Sequence, residues 1–276
     1  MSLLSDLQNQ MIRHRFRPNH RLGQNFIIDE AVILRMVEEA ELTQKDVVLE
    51  IGGGTGFLTE KLLQYCKVVC VEKDQLLCEA LRERFSGNKN FTLIEGDFLD
   101  AELPKITKIV SLPPFNISSE IMTKICFLEF KMAVVVFQRE FVEKIVSEPG
   151  FHSRGHLSVL TDLLFGKEVV MHSIYPKAFF PKPVTYSAMM VLRGKKHGFS
   201  RKQTERLAAF LKSLFRFKNK NLSNALQNAL KESGASLGVK DYKKAMAKVG
   251  AKLLEAKTNV LESAELANVF RKIFPE

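Results

Sequence analysis

The 276-residue chain predicts an α/β fold built on a doubly wound, mostly parallel sheet, and three observations carry that reading. Apolar runs of strand length recur at 47–51, 68–72, 92–95, 108–112, 132–137 and 188–192. Helical apolar periodicity fills most of the gaps, at 30–40, 57–65, 75–85, 117–128 and 138–147. The first run passes straight into glycines 52, 54 and 56 and then into a helix. Alternating strands and helices form parallel sheets whose ligand crevice lies at the carboxyl ends of the strands.

Taken in order, the strand ends describe a nucleoside site. In VVLEIGGGTGFLTEKL, residues 47–62, the glycines permit positive φ and close approach of a ligand. A dinucleotide fingerprint would place a further glycine at 57, where the chain has Phe57. The next strand, KVVCVEKD, ends on Glu72, a carboxylate placed to accept from ribose hydroxyls, and FTLIEGDF ends on Asp97. Glycines followed by two acids on successive strands suit an adenosine-like ligand without a pyrophosphate. S-adenosylmethionine fits best.

The following strand ends in SLPPFN. Its prolines fix the backbone and leave carbonyls without competing donors, and Phe115 offers an aromatic face. Phe179, in AFFPKPVTYSA, offers a second, so that an unstacked base is expected between the two rings.

Beyond GKKHG at 194–198 only helical patterns follow, in RKQTERLAAFLKSLF, NLSNALQNALKESG and ESAELANVFRKIF, broken at Gly234, Gly238 and Gly250. The net charge is +10, and from Phe199 onward sixteen Lys and Arg face seven Asp and Glu, so nearly all of the surplus is in this tail. With Arg13, Arg15, Arg17 and Arg21 ahead of the first strand, that distribution predicts a polyanionic partner. No apolar run approaches the roughly 18 residues of a membrane span, and a soluble, cytoplasmic monomer is expected. The cysteines, at 66, 70, 78 and 126, contain no CxxC pair and are expected to be buried thiols.

The segments HRLGQNFIID, VLEIGGGTGFLT, VEKD, EGDFL, PPFNISS, FQREFVEKIVSEPG, AFFPKPVTYSA and LFRFKNKNLSNAL closely resemble the ribosomal RNA adenine N6,N6-dimethyltransferases. These modify two adjacent adenosines near the 3′ end of small-subunit RNA. The resemblance implies a Rossmann-like class I methyltransferase domain with a mostly parallel seven-stranded sheet, and a small C-terminal helical domain that docks the pre-ribosomal small subunit. The corresponding division is 1–25 as a basic leader, 26–196 as the methyltransferase domain and 197–276 as the docking domain. By matching position, the cofactor would meet Gln24, Asn25 and Ile27, the glycines Gly52, Gly54 and Gly56, Glu72 with Lys73, and Asp97 with Phe98. Asp97 would accept from its adenine amine. Ser111, Leu112, Pro113, Pro114, Phe115 and Phe179 would form the target-base site, and Arg216, Lys218 and Lys220 would contact RNA. No metal is implied.

One position departs from the family. Its catalytic loop reads Asn-Leu-Pro-Tyr, and aligned backwards from Phe115 without a gap, Leu112 takes the place of the Asn. Leucine cannot accept a hydrogen bond, and Ser111 could serve only if the loop slips. Loss of one such oriented group costs about 3 kcal/mol in the transition state. The expectation is intact cofactor and RNA binding with slow or incomplete methylation. The alternative is an assembly factor that binds pre-ribosomal RNA with little catalysis.

Overall fold

The computed structural model describes residues 2–233 and 242–275, which leaves the predicted breaks at Gly234 and Gly238 outside the described residues. Strands are β1 (Phe26–Ile27), β2 (Val47–Ile51), β3 (Lys67–Glu72), β4 (Phe91–Glu95), β5 (Lys108–Ser111), β6 (Met132–Gln138), β7 (Phe165–Ile174), β8 (Phe179–Phe180) and β9 (Ser187–Gly194). Helices are α1 (Leu3–Arg13), α2 (Glu30–Glu39), α3 (Phe57–Leu62), α4 (Gln75–Arg84), α5 (Ser118–Ile125), α6 (Arg139–Ile145), α7 (His156–Leu164), α8 (Arg201–Phe215), α9 (Leu222–Ser233), α10 (Tyr242–Met246), α11 (Ala251–Glu255) and α12 (Ser263–Ile273).

A seven-stranded sheet has the order β4-β3-β2-β5-β6-β9-β7. The pairs from β4 to β6 are parallel and β9 returns antiparallel to β6. The central strands VVLEI and MAVVVFQ are buried almost throughout, as continuous apolar runs are in a sheet covered on both faces. Strand order reverses between β2 and β5, so the loops after them open a crevice at one edge. The helices start where short polar side chains hold free amides: Asp29 accepts from Ala31 N and Asp74 from Leu76 N. All four cysteines are buried and free.

β7 is absent from the sequence pattern because FGKEVVMHSI is only partly buried and its polar side chains hide the alternation. The two-residue strands β1 and β8, also unanticipated, pair antiparallel, Phe26 with Phe180 and Ile27 with Phe179.

The chain forms two compact units. The first, Met1–Lys124, Leu128–Val142 and Lys167–Gly194, holds the sheet. The second combines Lys195–Glu276 with Ile125–Phe127 and Glu143–Gly166, a stretch that the sequence order places with the sheet. Within it Phe210, Phe270 and Phe274 meet at centroid distances of 5.0 to 5.7 Å. Arg154, 1% exposed, donates from Nη1 to the carbonyl of Asn259 at 2.9 Å and to that of Leu261. No helix among the described residues is long and apolar enough to cross a membrane.

Candidate active site

A cavity of about 250 Å³ lies at the carboxyl ends of β2, β3, β4 and β5. Its wall includes Gln24, Asn25, Gly52, Gly54, Glu72, Lys73, Asp97 and Phe98, together with Leu112, Pro113, Pro114 and Phe115. Most of the expected cofactor residues and the expected target loop therefore share one space.

Glu72 is buried at the end of β3, and three backbone amides converge on it. Oε2 accepts from Gly54 N at 2.9 Å, and Oε1 accepts from Lys73 N at 2.8 Å and Asp74 N at 2.9 Å. Burial raises its carboxyl above the ordinary glutamate value, and the amides pull it back. Below it, Glu50 is 1% exposed and accepts from Thr59 Oγ1 at 2.6 Å. Burial raises that carboxyl to about 8. Asp97 Oδ2 accepts from Lys73 Nζ at 2.8 Å and Oδ1 from Leu99 N at 2.8 Å, and the Lys73 ammonium holds the carboxyl below its usual value. Lys124 fixes the loop carrying Phe98 by donating to the carbonyls of Leu99 and Ala101, with its ammonium 4.8 Å from the Phe98 ring centre.

Four expected positions are absent from the cavity wall. Gly56 (φ +81°) starts α3 facing the core, where a Cβ would lie 2.8 Å from Phe85 Cε2, so its part is packing. Ile27 is buried in β1, and its neighbour Phe26 lines the space instead. Ser111 is fully buried. Its Oγ donates to Ile51 O at 2.8 Å and accepts from Ile51 N at 3.1 Å, so the hydroxyl serves the sheet and is withheld from the loop. Phe179 is also fully buried and meets Phe115 edge to face with centroids 6.0 Å apart. The slot expected between the two rings is closed by their own contact, and Phe115 alone faces the cavity.

Two further wall residues, Asn116 and Gly23, stand inside the segments PPFNISS and HRLGQNFIID, where the resemblance assigns them no role. Asn116 Nδ2 donates to Arg21 O at 3.0 Å and so ties the loop after β5 to the segment before β1. At Gly23 (φ +66°) a Cβ would sit 2.4 Å from Asn116 Oδ1, which explains the glycine of LGQNF.

Lys218 differs from expectation. Its Nζ donates to the carbonyls of His152 at 2.7 Å and Arg154 at 3.0 Å, which makes it a clamp within the second unit. Arg216 pairs with Glu232 at 2.6 Å, and Lys220 lies exposed with its ammonium 5.3 Å from the Phe217 ring centre.

The profile of the family "Ribosomal RNA adenine dimethylase" matches residues 15–263. The chain belongs to this family. It is 39% identical over 232 residues to the "Probable ribosomal RNA small subunit methyltransferase A" of Pyrococcus abyssi, covering 84% of this chain and 82% of that relative. It is 34% identical over 252 residues to the protein of the same description from Methanococcoides burtonii, covering 91% and 92%. Among solved structures, a dimethyladenosine transferase from Plasmodium falciparum superposes with a TM-score of 0.72 at 22% identity, over 88% of this chain and 95% of that one. The 23S rRNA methyltransferase ErmE does so with 0.62 at 29%, over 90% and 99%. As a dimethylase-family member the chain is a class I enzyme using S-adenosylmethionine, and the cavity suits that cofactor: a buried acid stands at the end of β3, with glycine backbone and an apolar wall beside it.

Proposed function

We propose that the protein methylates adenosine N6 at two adjacent positions near the 3′ end of small-subunit ribosomal RNA during subunit maturation, at a rate limited by Leu112. The observation that carries this reading is the single cavity joining Glu72 and Asp97 to Leu112–Phe115. Glu72 would accept from the ribose hydroxyls of the cofactor, Asp97 from its adenine amine, and Gln24, Asn25, Lys73 and Phe98 would complete its enclosure.

When bound, S-adenosylmethionine would supply the methyl group that N6 takes up, with the bonding pair left on its sulfur and the amine proton released to solvent. The protein's part is to hold and polarise the amine. Phe115 gives the base a face, and the main-chain carbonyls of Leu112 and Pro113 are the acceptors this part of the loop leaves to an amine, since the side chains of Leu112–Phe115 carry none and the Pro114 carbonyl opens the helical turn Phe115–Ile117. The Phe115 carbonyl already accepts from Ser118 Oγ at 2.8 Å.

A second reading, an assembly factor with little catalysis, is favoured by one observation: Leu112 lines the cavity where an acceptor belongs, while Ser111 is committed to Ile51. Incubating small subunits that lack the mark with the protein and S-adenosylmethionine, followed by mass spectrometry of the adenosines, separates the two. Dimethyladenosine in near-stoichiometric yield supports the enzyme, and subunit binding without any methyl transfer supports the assembly factor.

A further inference from the structure

The edge of the sheet that carries the cavity continues past β5 into a surface whose side chains are not part of the cavity wall. β6 ends on Gln138, which pairs with Ser187 at the start of β9, so Arg139 and Tyr186 stand side by side at this same edge. Arg139 N donates to Tyr186 O at 2.9 Å, and the guanidinium carbon lies 5.1 Å from the centre of the Tyr186 ring. Tyr175 meets Tyr186 edge to face at 5.3 Å, and Lys177 Nζ lies 5.6 Å from the Tyr175 ring centre.

Both tyrosines are open to solvent, Tyr175 at 57% and Tyr186 at 38%, and Val184 between them in sequence is fully exposed. Two exposed rings in contact, backed by cations, have the make-up of a stacking surface for bases. The local charge agrees. From Tyr175 to Tyr186 the chain contains no Asp or Glu, but includes Lys177 and Lys182. Position agrees as well. From β5, whose loop carries Phe115, two strand steps lead to β9, roughly 10 Å at about 4.8 Å each, the reach of a neighbouring nucleotide. The chain between the two places is short: Tyr175 is followed by Pro176–Ala178 and then by Phe179, which packs on Phe115.

We propose that Tyr175 and Tyr186, flanked by Arg139 and Lys177, form a platform on which an unpaired RNA base close to the target adenosine stacks, with the two cations facing its phosphates. This rests on the RNA-methyltransferase reading above. The platform fixes the register of the strand, so that the adenosine presented to Phe115 is set by its neighbour.

The test uses the full-length chain and a short single-stranded oligoribonucleotide containing two adjacent adenosines, with 2-aminopurine at a flanking position. Stacking quenches 2-aminopurine, so binding to the wild type should dim it. Tyr175→Ala should abolish the quenching and weaken binding about tenfold, while Tyr175→Phe, which keeps the ring, should retain both. Lys177→Gln should make the log–log salt dependence of binding shallower by about 0.7. Unchanged binding and quenching in Tyr175→Ala would overturn the platform, as would equal losses in Tyr175→Phe, which would point to the hydroxyl. Calorimetry with S-adenosylmethionine separates the two readings. Absence of cofactor binding by the wild type would bring down the methyltransferase reading itself, whereas intact cofactor binding with an indifferent Tyr175 brings down the platform alone.

Discussion

The Gly54 amide donates to Glu72 Oε2 at 2.9 Å, so the acid at the end of β3 also ties down the glycine loop after β2. Both oxygens of Glu72 already accept backbone amides, and a ribose must bind to the lone pairs that remain. Glu72→Ala should therefore weaken S-adenosylmethionine by about 3 kcal/mol, roughly a hundredfold. Glu72→Gln should be nearly as damaging, because its amide nitrogen must face a backbone N–H on one side or the other. Because burial raises this carboxyl, affinity should fall on acidification at a higher pH than an ordinary glutamate would set. Titration calorimetry across pH checks all three, and a Gln variant that binds like wild type would show that the converging amides do not matter.

Glu50 makes a second, opposite prediction about stability. Burial raises its carboxyl to about 8 in the folded chain, against 4.5 as the ordinary value. Below about pH 4.5 both folded and unfolded chains hold the proton, and the site costs nothing. As pH rises toward 8 the unfolded chain ionises first, so stability falls over this window and levels off above it. Glu50→Gln keeps an acceptor for Thr59 Oγ1 and removes the titration. Its melting temperature should exceed that of wild type by several degrees or more at pH 8.5, since a carboxyl moved from 4.5 to about 8 costs on the order of 5 kcal/mol once both chains ionise, and match it near pH 4.5. A constant offset at both pH values would place the effect in packing and away from ionisation.

The basic tail divides into clamps and exposed charges. Lys218 donates to two main-chain carbonyls, so Lys218→Ala should lower stability by about 1.5 kcal/mol, read as a lower melting temperature. Lys220 is exposed, with its ammonium over the Phe217 ring. Lys220→Glu should weaken binding to small subunits and leave the melting temperature alone. The opposite pattern, a destabilised Lys220→Glu with a thermally neutral Lys218→Ala, would reverse the assignment.

These contrasts follow how differently the sequence encodes its parts. Gly52, Glu72 and Asp97 were legible because a parallel strand ends where its apolar run ends, and a glycine or acid at that point has few structural reasons to be there. Leu112 was legible too, as a break in an otherwise aligned motif, and it does line the cavity. Ser111 and Lys218 were not. A hydroxyl beside a catalytic loop and a lysine in a basic tail look the same in sequence whether they face a ligand or a carbonyl, and long-range partners such as Ile51 and His152 decide the matter. β7 was hidden by partial burial, and the grouping of Glu143–Gly166 with the tail by the fact that chain order does not record which unit a helix joins.

Leu112 sets the sharpest expectation for activity. It is half-buried on the cavity wall, packs against the sheet core, and begins a loop whose next three side chains, of Pro113, Pro114 and Phe115, also lack an acceptor. An adenine amine has its lone pair drawn into the ring, and acceptors for its hydrogens are what free that pair for attack. Leu112→Asn should supply one and raise the methylation rate tenfold or more, roughly half of a ~3 kcal/mol interaction. It should also lower stability slightly, as an apolar contact is replaced by an amide. Dimethylation should gain more than monomethylation, because the monomethylated amine has a single N–H left and depends on one acceptor to orient it. Ser111→Ala serves as the control: its hydroxyl is bonded to Ile51 in the sheet, so the substitution should reduce stability by ~1 kcal/mol and leave the ratio of mono- to dimethylated product unchanged. Mass spectrometry of single-turnover products reads both variants. A wild type that dimethylates rapidly and is slowed by Leu112→Asn would mean that the loop carbonyls suffice, and loss of a robust activity in Ser111→Ala would mean that the loop slips on binding RNA and brings Ser111 to the amine.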